Sequence, residues 1–123
     1  MDSHDTVEIL DVSEAARRLA DADASPRPLL VDVREADEFA QIRAEGAVLL
    51  PLSGFVAGWR RLPEDRPLLF ICATGQRSFS AADYLTRNGR GYVANVEGGT
   101  VAWARAGLPV RRGHPVAGEG ELP

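Results

Sequence analysis

The sequence lacks lysine entirely, and all fourteen of its basic residues are arginine. This absence excludes Schiff-base chemistry and any lysine general base. The chain has a single cysteine, Cys72, so it cannot form an intramolecular disulfide and is not a small disulfide-stapled secreted scaffold. The net charge is −4 and no basic stripe is present, which argues against nucleic acid as a partner.

Long apolar runs are absent as well. No segment approaches the roughly 20 apolar residues that a membrane-spanning helix needs, and the acidic start of the chain has no apolar signal core. We therefore expect a protein of the reducing cytoplasm with no membrane partner. The two histidines, His4 and His114, lie near the chain ends and are not spaced with the cysteine as metal ligands are, so we expect no metal site.

Short apolar strands alternate with helical segments along the chain. The strands are expected at about residues 7–10, 29–33, 47–50, 68–71 and 92–96. The helices are expected at about residues 14–22 after a Ser13 cap, then through Glu38, and at 53–62, 78–88 and 100–106. Near-continuous apolar strands separated by helices predict an α/β fold with a mostly parallel sheet and helices on both faces.

From residue 111 onward the sequence is rich in glycine and proline and poor in apolar residues. Such a segment cannot bury enough apolar surface to offset the entropy of ordering it. We expect one domain over residues 1–110 and a flexible C-terminal tail over residues 111–123.

Cys72 ends an apolar strand and opens a short loop that leads into a helix. Ligands of parallel sheets bind beyond the carboxyl ends of the strands, and Cys72 lies at such an end. Loop N–H groups, the positive end of a helix and an arginine all favour negative charge on the sulfur. Gly75 permits the backbone angles that turn N–H groups inward. Since the thiolate is the reactive form of cysteine, the loop predicts a nucleophile.

Two neighbours of Cys72 have competing interpretations. Arg77 could clamp the loop to a carboxylate such as Asp32 or Glu38, or it could stabilise an anionic sulfur or substrate, and both roles are compatible. Ser78 could cap the helix or donate a hydrogen bond to the sulfur, and we expect the cap. Cys72 itself, without this context, would be read as a small buried hydrophobe.

Three ordered sequence blocks resemble the single-domain rhodaneses, which are thiosulfate sulfurtransferases. The first block is Cys72-Ala73-Thr74-Gly75-Gln76-Arg77-Ser78, similar to the family's C-x-x-G-x-R-S loop. The second begins Val31-Asp32-Val33-Arg34-Glu35 and continues through Asp37-Glu38-Phe39. The third is Val96-Glu97-Gly98-Gly99 with Trp103, and the match ends near Val110. The resemblance implies a rhodanese-like fold with a central five-stranded sheet.

The resemblance also implies roles for individual residues. Cys72 and Arg77 are expected to be catalytic. Residues expected to bind substrate are Ala73, Thr74, Gly75, Gln76 and Ser78. Asp32, Arg34 and Glu38 are expected to support the site structurally.

The activity implied is transfer of a sulfane sulfur from thiosulfate or a persulfide or polysulfide donor to a thiol or cyanide acceptor, through a persulfide on Cys72. No cofactor is implied, and a sulfur-relay protein is a candidate partner. One alternative is a non-catalytic module that carries sulfur or binds a partner. The other is a small cysteine phosphatase or arsenate reductase, although four residues separate Cys72 from Arg77 here, against five in the C-x5-R loops of those enzymes.

Overall fold

The computed structural model describes residues 6–123, so the predicted absence of a metal site at His4 lies outside the described residues. These residues form seven strands: β1 (Glu8–Leu10), β2 (Leu29–Asp32), β3 (Ile42–Ala44), β4 (Val48–Leu49), β5 (Leu68–Ile71), β6 (Val93–Val96) and β7 (Val110–Arg112). Five of them build a sheet in the order β1-β6-β5-β2-β4 in which every neighbouring pair is parallel. Strands β3 and β7 form a separate antiparallel pair.

Five α-helices connect the strands: α1 (Val12–Ala20), α2 (Ala36–Gln41), α3 (Phe55–Gly58), α4 (Gln76–Arg87) and α5 (Gly99–Arg105). Core residues of α3 and α4 pack together on one face of the sheet. Core residues of α1, α2 and α5 pack on the other face. The prediction of an α/β fold with a five-stranded parallel sheet and helices on both faces is confirmed.

The two faces follow from the alternation of side chains along each strand. In β5, Leu68 and Phe70 belong to the α3–α4 face, while Leu69 and Ile71 belong to the opposite face. All four residues are buried, which explains the continuous apolar run. Cys72 continues the alternation onto the α3–α4 face, so its side chain lies beside α4.

Two helix boundaries differ from the sequence-based expectation. The cap of α1 is Asp11, whose Oδ1 accepts from the Glu14 N–H at 2.8 Å, and Ser13 lies inside the helix. The helix expected over residues 53–62 is reduced to α3, with 3-10 turns at Leu52–Gly54 and Trp59–Arg61 on either side. Glycines at both boundaries of α3 lower the helix propensity there and account for the interruptions.

The C-terminal segment also differs from the expected loose tail. Its first residues form β7 against β3. Buried Arg43 then donates to the Gly113 carbonyl at 2.7 Å and pairs with the Glu119 carboxylate, and the Gly120 carbonyl accepts from the Leu49 N–H at 2.7 Å. The segment has few apolar residues, as the sequence indicates. It is held instead by polar contacts, because the buried Arg43 guanidinium needs hydrogen-bond acceptors and the segment provides them. The domain boundary at residue 110 itself stays a prediction.

Within residues 6–123, no helix is both long enough and apolar enough to cross a bilayer.

Candidate active site

The Cys72 sulfur lies inside a loop whose backbone turns toward it. Cys72 is 1% exposed, and the Gly75 N–H donates to Cys72 Sγ at 3.1 Å. Gly75 has φ of +105°, a left-handed conformation that side chains disfavour, and it immediately precedes α4. The first N–H groups of a helix lack acceptors within the helix, so the start of α4 brings free donors to the sulfur.

The start of α5 holds the opposite side of the loop backbone. The Thr100 N–H and hydroxyl both donate to the Cys72 carbonyl, at 2.8 and 3.0 Å, and the Val101 N–H donates to the Ala73 carbonyl at 3.1 Å. This contact needs a glycine at residue 99, because a Cβ there would lie 2.5 Å from both loop carbonyl oxygens. With these two carbonyls occupied by α5, the N–H groups further along the loop are left to face the sulfur.

Ser78 is not the helix cap that we expected from the sequence. Gly75 is the N-cap of α4, and Ser78 lies two residues into the helix with its side chain fully buried. Its Oγ lies 3.2 Å from Cys72 Sγ and 2.6 Å from Asn95 Oδ1. The helix begins earlier than expected because Gly75, in a left-handed conformation, directly precedes its first residue. The buried Ser78 hydroxyl therefore contacts the Cys72 sulfur and Asn95 of β6.

These contacts set the acidity of the thiol. Burial raises the pKa of the Cys72 thiol, but hydrogen bonds from the Ser78 hydroxyl and from the N–H groups of Ser78, Gly75 and Thr74 outweigh it. The net result is a pKa below the ordinary value of 9.0. Hydrogen bonds to the charged form thus favour the thiolate at this position.

Arg77 forms a two-pronged ion pair with Glu38, the carboxylate of α2 that the sequence named as one of two candidates. Its two terminal nitrogens donate to the two carboxylate oxygens, both at 2.8 Å. The Arg77 guanidinium lowers the pKa of Glu38 from 4.5 to about 2. Both side chains stay partly exposed, at 41% for Arg77 and 31% for Glu38. The contact fastens the start of α4 to α2 and keeps a positive charge near the loop.

Asp32 and Arg34 form a second ion pair, at the carboxyl end of β2. Arg34 Nη2 donates to Asp32 Oδ2 at 2.8 Å, and the Arg34 N–H donates to Asp32 Oδ1 at 3.0 Å. Both side chains are buried: that of Arg34 is 5% exposed and that of Asp32 is 0% exposed. Arg34 also donates to the Ile42 carbonyl at 2.6 Å and so ties the end of β2 to β3. The side-chain contacts of Asp32 and Arg34 are therefore with each other and with the start of β3.

The remaining named residues form the rim of the loop. Ala73 is half-buried, while Thr74 and Gln76 are exposed. Their role in binding substrate stays a prediction.

Two buried polar residues of this site were missed by the sequence reasoning. Asn95 lies in β6 and its Nδ2 donates to the Gly75 carbonyl at 2.9 Å, while Thr100 holds the Cys72 carbonyl. The signal available for Asn95 was a polar side chain in an otherwise apolar strand, Val93-Ala94-Asn95-Val96. Thr100 gave no such signal, because threonine early in a helix is common.

In the part of the chain from Thr6 to Pro123, no group of three or more His, Cys, Asp or Glu side chains is placed to hold a metal ion. The chemistry that the site offers is that of an activated sulfur in a ring of N–H donors.

Comparisons with known proteins agree with this geometry. The sequence model of one protein family, the rhodanese-like domain, matches residues 6–106 of this chain. A sulfurtransferase of Allochromatium vinosum is 39% identical over 101 residues, covering 82% of this chain and 92% of that protein. The thiosulfate sulfurtransferase GlpE of Vibrio cholerae is 37% identical over 81 residues, covering 66% of this chain and 76% of that protein.

Among solved structures, the crystal structure of a rhodanese-related protein from Thermoplasma volcanium superposes with a TM-score of 0.74 at 26% identity. The match covers 85% of this chain and 97% of that one. The fold, the matched domain and the curated relatives thus agree with the three sequence blocks. The chain belongs to the rhodanese-like domain family and is a rhodanese-type sulfurtransferase.

Proposed function

We propose that Cys72 carries the transferred sulfur as a persulfide. The Cys72 thiolate attacks the outer sulfur of a sulfane donor, so that a bond forms between Sγ and that sulfur while the donor's own sulfur–sulfur bond breaks. With thiosulfate as donor, sulfite leaves with the electron pair of the broken bond. The negative charge of the enzyme moves from Sγ to the outer sulfur. A nucleophilic acceptor, a thiol or cyanide, then takes that sulfur and restores the thiolate.

The observation that carries this proposal is the hydrogen-bonded environment of the sulfur. The Gly75 N–H and the Ser78 side chain contact Sγ at 3.1 and 3.2 Å, in a site that is almost completely buried. Donors fixed in advance stabilise a developing anion without rearranging during the reaction. No general base is needed, because these donors already favour the thiolate.

Residues 73–77 are proposed to hold the outer sulfur of the persulfide as well. Their N–H groups follow one another along the loop into α4, and successive N–H groups that point inward form an anion-binding concavity. Ala73, Thr74 and Gln76 would contact the donor and the acceptor at the rim. Arg77 would add positive charge, and the pairs Arg77–Glu38 and Arg34–Asp32 would keep the loop in place.

The alternative of a phosphatase or arsenate reductase receives less support from the same geometry. Such enzymes use the arginine of the loop to bind a tetrahedral oxyanion, whereas the Arg77 guanidinium is engaged by both oxygens of Glu38. A sulfur-carrier module without turnover remains the second candidate, since it needs the same persulfide. Thiosulfate as the donor, a sulfur-relay protein as the acceptor and a cytoplasmic location stay predictions.

Intact mass measurement after incubation with thiosulfate tests the proposal directly. We expect the native protein to gain the mass of one sulfur atom and to lose it again when cyanide is added. Because Cys72 is the only cysteine, Cys72→Ser should gain nothing, and its sulfur exchange should fall to the uncatalysed background. Failure to form an adduct with thiosulfate, a persulfide or a polysulfide would contradict the proposal.

Steady-state turnover measurements then distinguish three hypotheses: a sulfurtransferase, a sulfur carrier without turnover, and a phosphatase or arsenate reductase. We expect thiocyanate to form catalytically from thiosulfate and cyanide. An adduct without turnover would favour the carrier module, and turnover of an aryl phosphate or arsenate would favour the other alternative.

A further inference from the structure

Asn95 is a buried polar residue that uses both ends of its amide at the active site. Its Nδ2 donates to the Gly75 carbonyl at 2.9 Å, and its Oδ1 lies 2.6 Å from Ser78 Oγ. Since the Gly75 carbonyl can only accept, the amide is fixed with its oxygen toward Ser78. Asn95 and Ser78 are 4% and 0% exposed, so bulk water has little access to either side chain.

The Ser78 hydroxyl has one hydrogen and two candidate acceptors. One is Asn95 Oδ1 at 2.6 Å, and the other is Cys72 Sγ at 3.2 Å. When Cys72 is a neutral thiol, its S–H can point to Ser78 Oγ while the hydroxyl donates to Asn95, and every polar group is satisfied. When Cys72 is a thiolate, it has no hydrogen to offer Ser78 Oγ, and a hydroxyl that donates to the sulfur leaves Asn95 Oδ1 without its donor.

We propose that Asn95 is a positioning residue for the sulfur-transfer reaction: it competes with the Cys72 thiolate for the Ser78 hydrogen and so favours the sulfur-loaded form over the free thiolate. This inference rests on the proposed function. After loading, the negative charge lies on the outer sulfur and Sγ is a neutral, weak acceptor. The Ser78 hydroxyl then returns to Asn95, and the amide regains its donor.

Several charged groups lie on the elements that pack around the Cys72 loop. Arg77 lies on α4 with Glu38 on α2 beside it, Asp32 and Arg34 follow β2, and Glu97 follows β6. Their charges are identical in all the variants compared below. Differences between those variants therefore report on the hydroxyl and the amide.

A double-mutant cycle tests the competition without requiring sulfur transfer. The native protein, Asn95→Ala, Ser78→Ala and the double variant are alkylated with iodoacetamide across a pH series. We expect Asn95→Ala to speed alkylation about 3- to 10-fold at pH values where the native thiol is mostly protonated, the range that one hydrogen bond corresponds to. Ser78→Ala should slow alkylation. In the Ser78→Ala background, removing Asn95 should change nothing.

Two results would overturn the proposal: slower alkylation in Asn95→Ala, or an equal change in both backgrounds. An equal change would mean that Asn95 acts by holding the Gly75 carbonyl, independently of the hydroxyl. Asn95→Leu, which keeps most of the side-chain volume and removes the acceptor, repeats the test if the alanine variant does not fold.

The equilibrium between loaded and free enzyme gives a second readout. At a fixed ratio of thiosulfate to sulfite, and at a pH where Cys72 is ionised, Asn95→Ala should lower the ratio of persulfide to thiolate about 3- to 10-fold. An unchanged or higher ratio would contradict the proposal. If the native protein takes up no sulfur at all, the proposed function fails, and the alkylation series still decides whether Asn95 competes for the Ser78 hydrogen.

Discussion

Two helix N-termini meet the Cys72 loop, and they use the same kind of group differently. Both α4 and α5 follow a left-handed glycine, Gly75 and Gly98, and neither has a side-chain cap. At α5 the free N–H groups of Thr100 and Val101 donate to loop carbonyls. At the start of α4 the N–H groups of Gly75, which is the N-cap, and of Ser78 donate to the sulfur, that of Gly75 at 3.1 Å.

The difference shows how one loop separates support from chemistry. The loop carbonyls that accept from α5 are held in place by these hydrogen bonds, whereas the first N–H groups of α4 have no acceptor within the helix and are available to an anion. The α5 side should therefore govern stability, and the α4 side should govern the reactivity of Cys72.

The largest effect on stability is expected at Gly99, where the start of α5 lies closest to the Cys72 loop. Gly99→Ala places a Cβ 2.5 Å from the carbonyl oxygens of Cys72 and Ala73, at φ of +60°. We expect a loss of about 2–5 kcal/mol in the free energy of unfolding, measured with urea. Gly107→Ala, at the other end of the same helix, is the control: φ is +75° but no atom lies within 4 Å of the new Cβ, so the loss should be about 1–2 kcal/mol. Equal losses would show that the contact with the loop contributes nothing.

The next effect concerns the charge at the start of α4. Arg77→Ala should lower the sulfur-transfer rate roughly 10-fold, less than the 10²–10³ typical of a buried donor, because its guanidinium is partly exposed. It should also raise the pKa of Cys72, since a positive charge is removed.

Glu38→Gln is the matched control, because it breaks the same ion pair and leaves the arginine. If Arg77 acts by its charge, Glu38→Gln should lower the pKa of Cys72 and preserve the rate. If both variants lose activity equally, the ion pair acts as a clamp, which is the other interpretation of Arg77. Thiolate absorbance and steady-state rates measure the two properties.

A smaller effect is expected from Thr100→Val, which removes a hydroxyl from the α5 side. The Cys72 carbonyl keeps the Thr100 N–H at 2.8 Å and loses the hydroxyl at 3.0 Å. We expect a loss of about 1 kcal/mol in the free energy of unfolding and an unchanged titration of the thiol. A shifted titration would show that α5 also controls the sulfur.

The smallest effect is the response of the Arg77–Glu38 pair to acid. The pKa of Glu38 is lowered from 4.5 to about 2, so its ionised form is stabilised by folding. This contribution is present above the ordinary value and is lost as the pH falls from about 4.5 toward about 2. Because both partners are partly exposed, we expect less than about 1 kcal/mol. Urea unfolding of the native protein and of Glu38→Gln across this range should converge at the acid end.

The sequence predicted the parts of the site that depend on chain order. The Cys72 loop, its place after a buried strand and the helix behind it all follow from local patterns, and Glu38 was one of two carboxylates named for Arg77. The cap at Ser78 was wrong, because a left-handed glycine began the helix earlier. The pair β3–β7 was missed, since its strands are three residues long and lie about 70 residues apart.

By itself the sequence determined the fold class, the family and the position of the only thiol, because these depend on hydrophobic periodicity and on motifs contiguous in the chain. The tertiary structure decided which side chains meet that thiol. Asn95 and Thr100 reach the loop from β6 and α5, and the C-terminal segment docks through Arg43 and Glu119. These contacts join residues distant in the chain, and their partners are set by which strands and helices lie side by side. The predicted reactivity of Cys72 thus depends on a local loop whose hydrogen bonds are completed from elsewhere in the fold.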